Sequence, residues 1–283
     1  MTALLVSASD LASELSADPD AGRPPVVLDV RWTLGGPPGR IDHEAGHVPG
    51  AVFVDLDTEL AGAHAPGSGR HPLPDRDRLT EVLRRAGVRR DSRVVVYDAR
   101  DSTSAARAWW VLTWAGLRDV RVLDGGLAAW VATGAAVAAG PEHPEPGDVI
   151  LEPGTLPTLD AGSAAAVARS GTLLDSRSAV RYRGEQEPVD PVAGHVPGAV
   201  SAPTTENVDA SGRFLPPDAL RERFAGLGAA SGEVGVYCGS GVTGAHQVLA
   251  LRLAGLDGVL YPGSWSAWIT DPARPVATGP EPG

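Results

Sequence analysis

The chain has 283 residues, 43% of them apolar, enough for two ordinary domains with real cores and too many for a disordered polymer. Its 35 acids outweigh 24 bases, and the net charge of −11 argues against a non-specific grip on nucleic acid or an anionic membrane. A single cysteine, Cys238, excludes an internal disulfide framework.

The opening residues Met1 to Val6 lack the basic start of a secretory leader, and no apolar run is long enough to span a bilayer, so the expected location is the cytoplasm. Short β-branched runs at 26–30, 51–54, 93–97 and 120–123 predict strands. Val94, Val95 and Val96 are continuously apolar, as suits a strand covered on both faces. Residues 75–86 carry leucines and a valine at helical spacing and stop at Gly87; 103–114 predict a second helix. Strands alternating with helices imply an α/β fold with a mainly parallel sheet flanked by helices.

The chain then repeats itself. AGHVPGAV occurs at 45–52 and again at 193–200. In the same order, VVLDVRW (26–32) answers LLDSRS (173–178), and SGRHPLPD (68–75) answers SGRFLPPD (211–218). VVVYD (94–98) answers VGVYC (234–238), and LDGGLAAW (123–130) answers YPGSWSAW (261–268). The period is far longer than a solenoid unit, so two copies of one domain are expected. Five prolines at 141, 144, 146, 153 and 157 forbid a long regular element between the copies. The expected organisation is a first domain at 1–140, an extended linker at 141–157 and a second domain at 158–283.

Two copies share what the fold needs, and positions that differ are where a site can live. His47 and His195 occupy the same turn, Arg31 matches Arg177, and Asp29 matches Asp175, so structural roles are expected for all six. Three capable residues are unmatched: Cys238 answers Asp98, Arg181 answers Gly35, and His71 answers Phe214. Lying in different halves, they are expected to meet at a seam between domains.

Cys238 closes the apolar run EVGVY and precedes GSGVTG, with a helical pattern from 245 to 256. A strand end, a glycine-rich loop and a helix start are where parallel α/β sheets bind ligands. Backbone N–H groups converging there favour an anion, and with it the reactive thiolate. A lone cysteine is more often a small buried hydrophobe, but that role needs no such loop. A Cys-x5-Arg phosphatase needs a cation where this chain has Gly244, and thioredoxin-type exchange needs a second cysteine. A papain-like protease needs a different architecture and a histidine beside the thiol. What remains is a thiolate that takes an atom, holds it and passes it on.

These residues resemble the two-domain rhodanese sulfurtransferases, the family of thiosulfate and 3-mercaptopyruvate sulfurtransferases, over nearly the whole chain. The likeness rests on DVRW and DSR, both GHVPGA turns, YCGSGVT, and the ends DGGLAAW and PGSWSAW. It implies two tandem rhodanese-like domains, with the first lacking the cysteine and the second catalytic. It further implies that Cys238 forms a persulfide and that Gly239, Ser240, Gly241, Val242 and Thr243 cradle it. Arg181 would hold the donor's anionic group, and Ser240, His71 and Asp57 would form a proton relay. His71 equally reads as a surface-loop histidine, and Arg183 as a second donor contact or a solvated side chain. The implied partners are a small anionic sulfur donor and a thiol or cyanide acceptor, a protein thiol included, with no nucleic acid or membrane. No metal or organic cofactor is implied. 3-Mercaptopyruvate is the expected donor, because Gly239 and Ser240 stand where thiosulfate-preferring relatives carry cations. The competing reading is a binding module of the same fold that has lost catalysis.

Overall fold

The computed structural model describes residues 3–18 and 22–283; Met1 and Thr2, part of the stretch read for a leader, lie outside them. Two compact units emerge. The first contains β1 (Leu5–Val6), α1 (Ala8–Leu15), β2 (Val26–Asp29), α2 (Gly39–Ala45), β3 (Val52–Phe53), α3 (Leu56–Glu59), α4 (Arg76–Arg85), β4 (Val94–Tyr97), α5 (Thr103–Trp114), β5 (Val120–Leu123) and α6 (Gly126–Ala132). Its five strands run parallel in the order β1-β5-β4-β2-β3. All four residues of β4 are buried, as the uninterrupted valines predict for a strand covered on both faces. Asp75 caps α4 by accepting from the N–H groups of Asp77 and Arg78, so the helix starts one residue inside the predicted segment.

The second unit contains α7 (Ala161–Ser170), β6 (Thr172–Asp175), α8 (Ala179–Tyr182), β7 (Ala199–Ser201), a 3-10 turn at Thr204–Asn207, α9 (Pro217–Gly226), β8 (Val234–Tyr237), α10 (Val242–Leu253), β9 (Val259–Leu260) and α11 (Ser264–Trp268). Its four strands are also parallel, in the order β7-β6-β8-β9. Thr158 forms a single parallel bridge to Leu260, in the place that β1 takes beside β5. Each unit is therefore a parallel sheet flanked by helices. Val27, Val95, Tyr97 and Leu123 anchor one core; Leu173, Tyr237, Tyr261 and Trp265 anchor the other.

The matched polar residues serve the fold. Arg31 bonds the Asp29 carboxylate with Nε and Nη2 and donates to the Gly46 carbonyl at 2.7 Å; Arg177 repeats this with Asp175 and Gly194 at 2.7 Å. His47 and His195 are buried and bond the carbonyls of His43 and Tyr182, both at 2.8 Å, while stacking on those same rings. Each histidine thus ties its turn to the preceding helix.

The units differ from halves cut at the linker. The segment Ala63–Leu73 belongs to the second unit, and Ala210–Arg213 belongs to the first. Both segments carry Ser-Gly-Arg, and the glycines show why. Gly69 and Gly212 have positive φ, and a Cβ on Gly69 would lie 2.6 Å from the Gly263 carbonyl. Residues 141–157 hold no regular element, but 141–155 group with the first unit. Val149 and Leu151 are buried, and the N–H groups of Gly147, Val149 and Glu152 bond the carbonyls of Arg84, Val88 and Ala115.

Candidate active site

The turn from β8 into α10 takes only residues 238–241. Gly241 makes it possible: at φ 83° it is the left-handed N-cap of α10, so the helix begins at Val242 rather than at 245 as the sequence pattern suggested. Val242 and Thr243, read as loop, therefore form its first turn. Gly241 N–H donates to Cys238 Sγ at 3.0 Å. The cysteine's own backbone is fully engaged, since its N–H donates to Ser264 Oγ at 3.1 Å and its carbonyl accepts from Trp265 N–H at 2.9 Å. Cys238 is only 1% exposed, which by itself suits a core residue. Its immediate partners, however, are polar: the Gly241 N–H and the Ser264 hydroxyl.

His71 Nδ1 and Ser240 Oγ are hydrogen-bonded at 2.7 Å, and both side chains are buried. The seam expectation is corrected here: His71 arrives on Ala63–Leu73, which is part of the second unit, so Cys238, Arg181 and His71 gather within that unit. The physical reason is the close seating of Gly69 on Gly263, together with the bond from Arg70 N–H to Ser266 Oγ at 3.1 Å. Asp57 stands in α3 of the first unit and is exposed.

Arg181, on α8, donates through Nε and Nη2 to Glu187 and through Nη2 to Asp190 at 2.9 Å. Burial resists ionisation of Glu187, but the Arg181 bonds and the Asp190 and Val189 N–H groups outweigh it and hold the carboxyl below its ordinary value. Arg183 pairs instead with exposed Glu185 at 2.8 Å, and its side chain is partly exposed.

Two residues escaped the sequence reading. Arg70 forms an ion pair with Asp190, and its Nη2 would lie 2.9 Å from a Cβ placed on Gly239. The loop has no cation of its own, yet two guanidinium groups face it, since Arg181 Nη1 would lie 3.5 Å from the same Cβ. Comparing the copies does not single out Arg70, because Arg213 matches it. The second residue is Ser264, whose φ is 52°, a left-handed conformation that disfavours any side chain. The matching Gly126 adopts φ 57° without that penalty. Here the serine accepts strain and places its hydroxyl against the cysteine backbone. The Gly126/Ser264 mismatch was the signal for it.

The first unit shows what such a loop does with a carboxyl group. Asp98, in the place of Cys238, accepts at Oδ1 from the N–H groups of Arg100 and Ser102, both at 3.0 Å. At Oδ2 it accepts from Ser104 at 3.0 Å and Ala105 at 3.2 Å. Burial and nearby Asp101 push its carboxyl up to about 6, while the N–H groups of Ala105, Ser102 and Arg100 pull the other way. Four backbone donors thus converge on one negative group at a strand end.

Among the described residues no cluster of His, Cys, Asp or Glu has the makings of a metal site, and no helix is long and apolar enough to cross a membrane. Fold and site together define a class: paired parallel α/β units, one holding a cysteine in its strand-end loop and the other an aspartate. The Rhodanese-like domain family matches residues 8–133 and 159–271. The chain is 48% identical to the probable 3-mercaptopyruvate sulfurtransferase of Pseudomonas aeruginosa, covering 98% of this chain and 99% of that one. It is 46% identical to the putative thiosulfate sulfurtransferase SseB of Mycobacterium tuberculosis, covering 98% and 97%. The crystal structure of the 3-mercaptopyruvate sulfurtransferase SseA from Escherichia coli superposes with a TM-score of 0.82 at 31% identity, over 94% of this chain and all of that one. The chain belongs to the rhodanese family and is a tandem-domain sulfurtransferase.

Proposed function

We propose that the chain moves a sulfur atom from 3-mercaptopyruvate to a thiol or cyanide acceptor through a persulfide on Cys238. The Cys238 thiolate attacks the donor sulfur, and an S–S bond forms as the C–S bond breaks. The released electron pair passes to carbon, which takes up the donor's thiol proton, leaving pyruvate and Cys238–S–S⁻. An acceptor thiolate then takes the outer sulfur and restores the thiolate, a double displacement with ping-pong kinetics. Gly239, Ser240, Gly241, Val242 and Thr243 cradle the persulfide. The Gly241 N–H on Sγ, and the four donors around Asp98 in the sister loop, support an anionic sulfur there. Arg181 holds the donor carboxylate.

The donor choice rests on one observation, the 2.7 Å bond between Ser240 and His71 beside the cysteine. A pyruvate enolate needs a proton as it leaves, and a hydroxyl–imidazole pair can carry one, with Asp57 as the third member of the proposed relay. A second reading, thiosulfate as donor, draws on the guanidiniums of Arg70 and Arg181 beside Gly239, which supply the cations that the loop lacks. The named relatives divide between the two donors.

Mass spectrometry after incubation with donor should show one added sulfur atom, removable by reductant, and Cys238→Ser should show neither adduct nor turnover. Full activity in that variant would end the persulfide mechanism. Measuring kcat/KM for both donors should favour 3-mercaptopyruvate, and a preference for thiosulfate would transfer the assignment to the second reading.

A further inference from the structure

We propose that the first unit holds a second ligand site, a cavity that takes a small acid with an apolar body and a hydroxyl beside its carboxylate. The cavity, of about 400 Å³, lies between α2, β3, the end of α4 and the linker. Every residue lining it belongs to the first unit. Pockets for small molecules commonly have this size, with mostly apolar walls and a few placed polar groups. Three observations carry the proposal.

The first is an open nitrogen. His43 lines the cavity although it is only 2% exposed. Its Nδ1 donates to Asp29 Oδ2 at 2.9 Å, and its ring faces meet His47 and Phe53. Burial resists ionisation of Asp29, but bonds from His43, Arg31 and Tyr97 outweigh it and hold the carboxyl below its ordinary value. An ionised partner fixes the proton on Nδ1, which leaves Nε2 as a hydrogen-bond acceptor. Nε2 has no partner among the described residues, and it is the polar atom that the ring can present to the cavity.

The second is the difference between the copies. In the second unit Tyr182 occupies the corresponding position, stacked on His195 as His43 is on His47. Its hydroxyl donates to the Ala199 carbonyl at 2.7 Å, so its only donor is spent inside the fold. The fold asks only for a flat ring here. An imidazole with a spare acceptor is peculiar to the first unit.

The third is the cation. Arg40 stands three residues before His43 on α2, so both side chains lie on one face of the helix. Its guanidinium sits over the Phe53 ring, 5.0 Å from the centroid, and forms no ion pair or hydrogen bond among the described residues. Guanidinium donors beside an imidazole acceptor match a carboxylate next to a hydroxyl. Phe53 and the linker residues Pro141, Pro144 and Pro146 supply apolar walls. Of the carboxylates on the wall, Glu142 accepts from the Gly50 N–H at 3.3 Å, and Glu44 is exposed.

Mandelate is the probe, since it joins a phenyl ring, a hydroxyl and a carboxylate at one carbon. Calorimetric titration of the full chain would compare it with phenylacetate, which lacks the hydroxyl, and phenylethanediol, which lacks the carboxylate. Mandelate should bind at one site, and losing either group should weaken binding about tenfold or more, the effect of one good hydrogen bond. Arg40→Gln, an exposed substitution, should bring mandelate down to the affinity of the diol and leave the diol unchanged. Nitrogen NMR of the imidazoles should show His43 Nε2 moving with mandelate and the diol but not with phenylacetate. Absence of mandelate binding, equal affinity for all three probes, a loss in Arg40→Gln shared by the diol, or an unmoved His43 resonance would each overturn the site. Sulfur-adduct formation on Cys238 is read separately, so the sulfur-transfer proposal stands or falls on its own.

Discussion

The imidazole of His71 lies 2.7 Å from the Ser240 hydroxyl although 169 residues separate them. The contact exists because Ala63–Leu73 folds with the second unit. In the proposed relay this contact carries the proton, and positioned acid–base groups are worth ~10²–10⁴ in rate. His71→Ala should lower 3-mercaptopyruvate turnover by about 10² or more while changing thiosulfate turnover much less, because sulfite leaves without needing a proton. Equal losses with both donors would remove the relay and leave the persulfide in place. Asp57→Asn should follow His71→Ala in donor selectivity with a smaller loss.

Arg177 and Arg181 lie four residues apart, one before α8 and one on it, and are expected to fail differently. The side chain of Arg177 is 1% exposed and closes the Asp175 pair, with its guanidinium over Trp265. Arg177→Ala strands a buried carboxylate and should cost about 3–5 kcal/mol of stability. The Arg181 side chain is 16% exposed, and its Nη1 faces Gly239. Arg181→Ala should raise donor KM at least tenfold while lowering Tm far less than Arg177→Ala does. Chemical denaturation and donor kinetics on both variants separate the roles; the reverse pattern would contradict them.

Ser264 tests whether backbone strain is held for the sake of the cysteine. A side chain in its left-handed conformation costs roughly 1–2 kcal/mol, and one hydrogen bond returns about 1 kcal/mol. Ser264→Gly should therefore melt within a few degrees of the parent protein. Its rate of persulfide formation should fall, because Cys238 N–H loses its acceptor and the sulfur its fixed position. Stopped-flow measurement of the first sulfur transfer reads this directly; an unchanged rate would make the hydroxyl a structural ornament of the turn.

Asp98 predicts a pH effect confined to the first unit. Burial raises its carboxyl from 3.8 to about 6, so folding favours its protonated form. The stabilisation from that form is complete below pH 3.8 and disappears as pH rises through about 6, a loss of about 3 kcal/mol from this group. Carboxyl carbon NMR should find the Asp98 midpoint near pH 6, and a midpoint at the ordinary value for aspartate would refute it. Asp98→Ala should flatten this part of the stability profile.

Several features were legible in the sequence because they depend on neighbours along the chain. The valines of β4 dictate a strand covered on both faces, and the eight residues of each AGHVPGAV encode the same buried-histidine turn. Cys238 was legible as well, since a strand end followed by Gly-Ser-Gly fixes a sulfur near backbone donors without help from distant residues. The limit of this reading was Val242, where the left-handed Gly241 starts the helix three residues early.

Arg70 marks the boundary of what the sequence alone determined. Composition, repeat and motif settle two parallel α/β domains and a single cysteine at a strand end, all properties of local pattern and of the difference between two copies. They are blind to Arg70, because Arg213 matches it and identical residues look equally structural. Tertiary structure alone decided that Gly69 seats one strap against Gly263 of the second unit and that Gly212 seats the other against Arg100 of the first. The physical reason is that hydrophobic pattern specifies which face of an element is buried, but not which distant loop a short glycine-hinged segment comes to rest on. That choice depends on backbone approaches and ion pairs between residues distant in sequence, and here it sets Arg70 by Gly239 and His71 by Ser240 in the Cys238 loop.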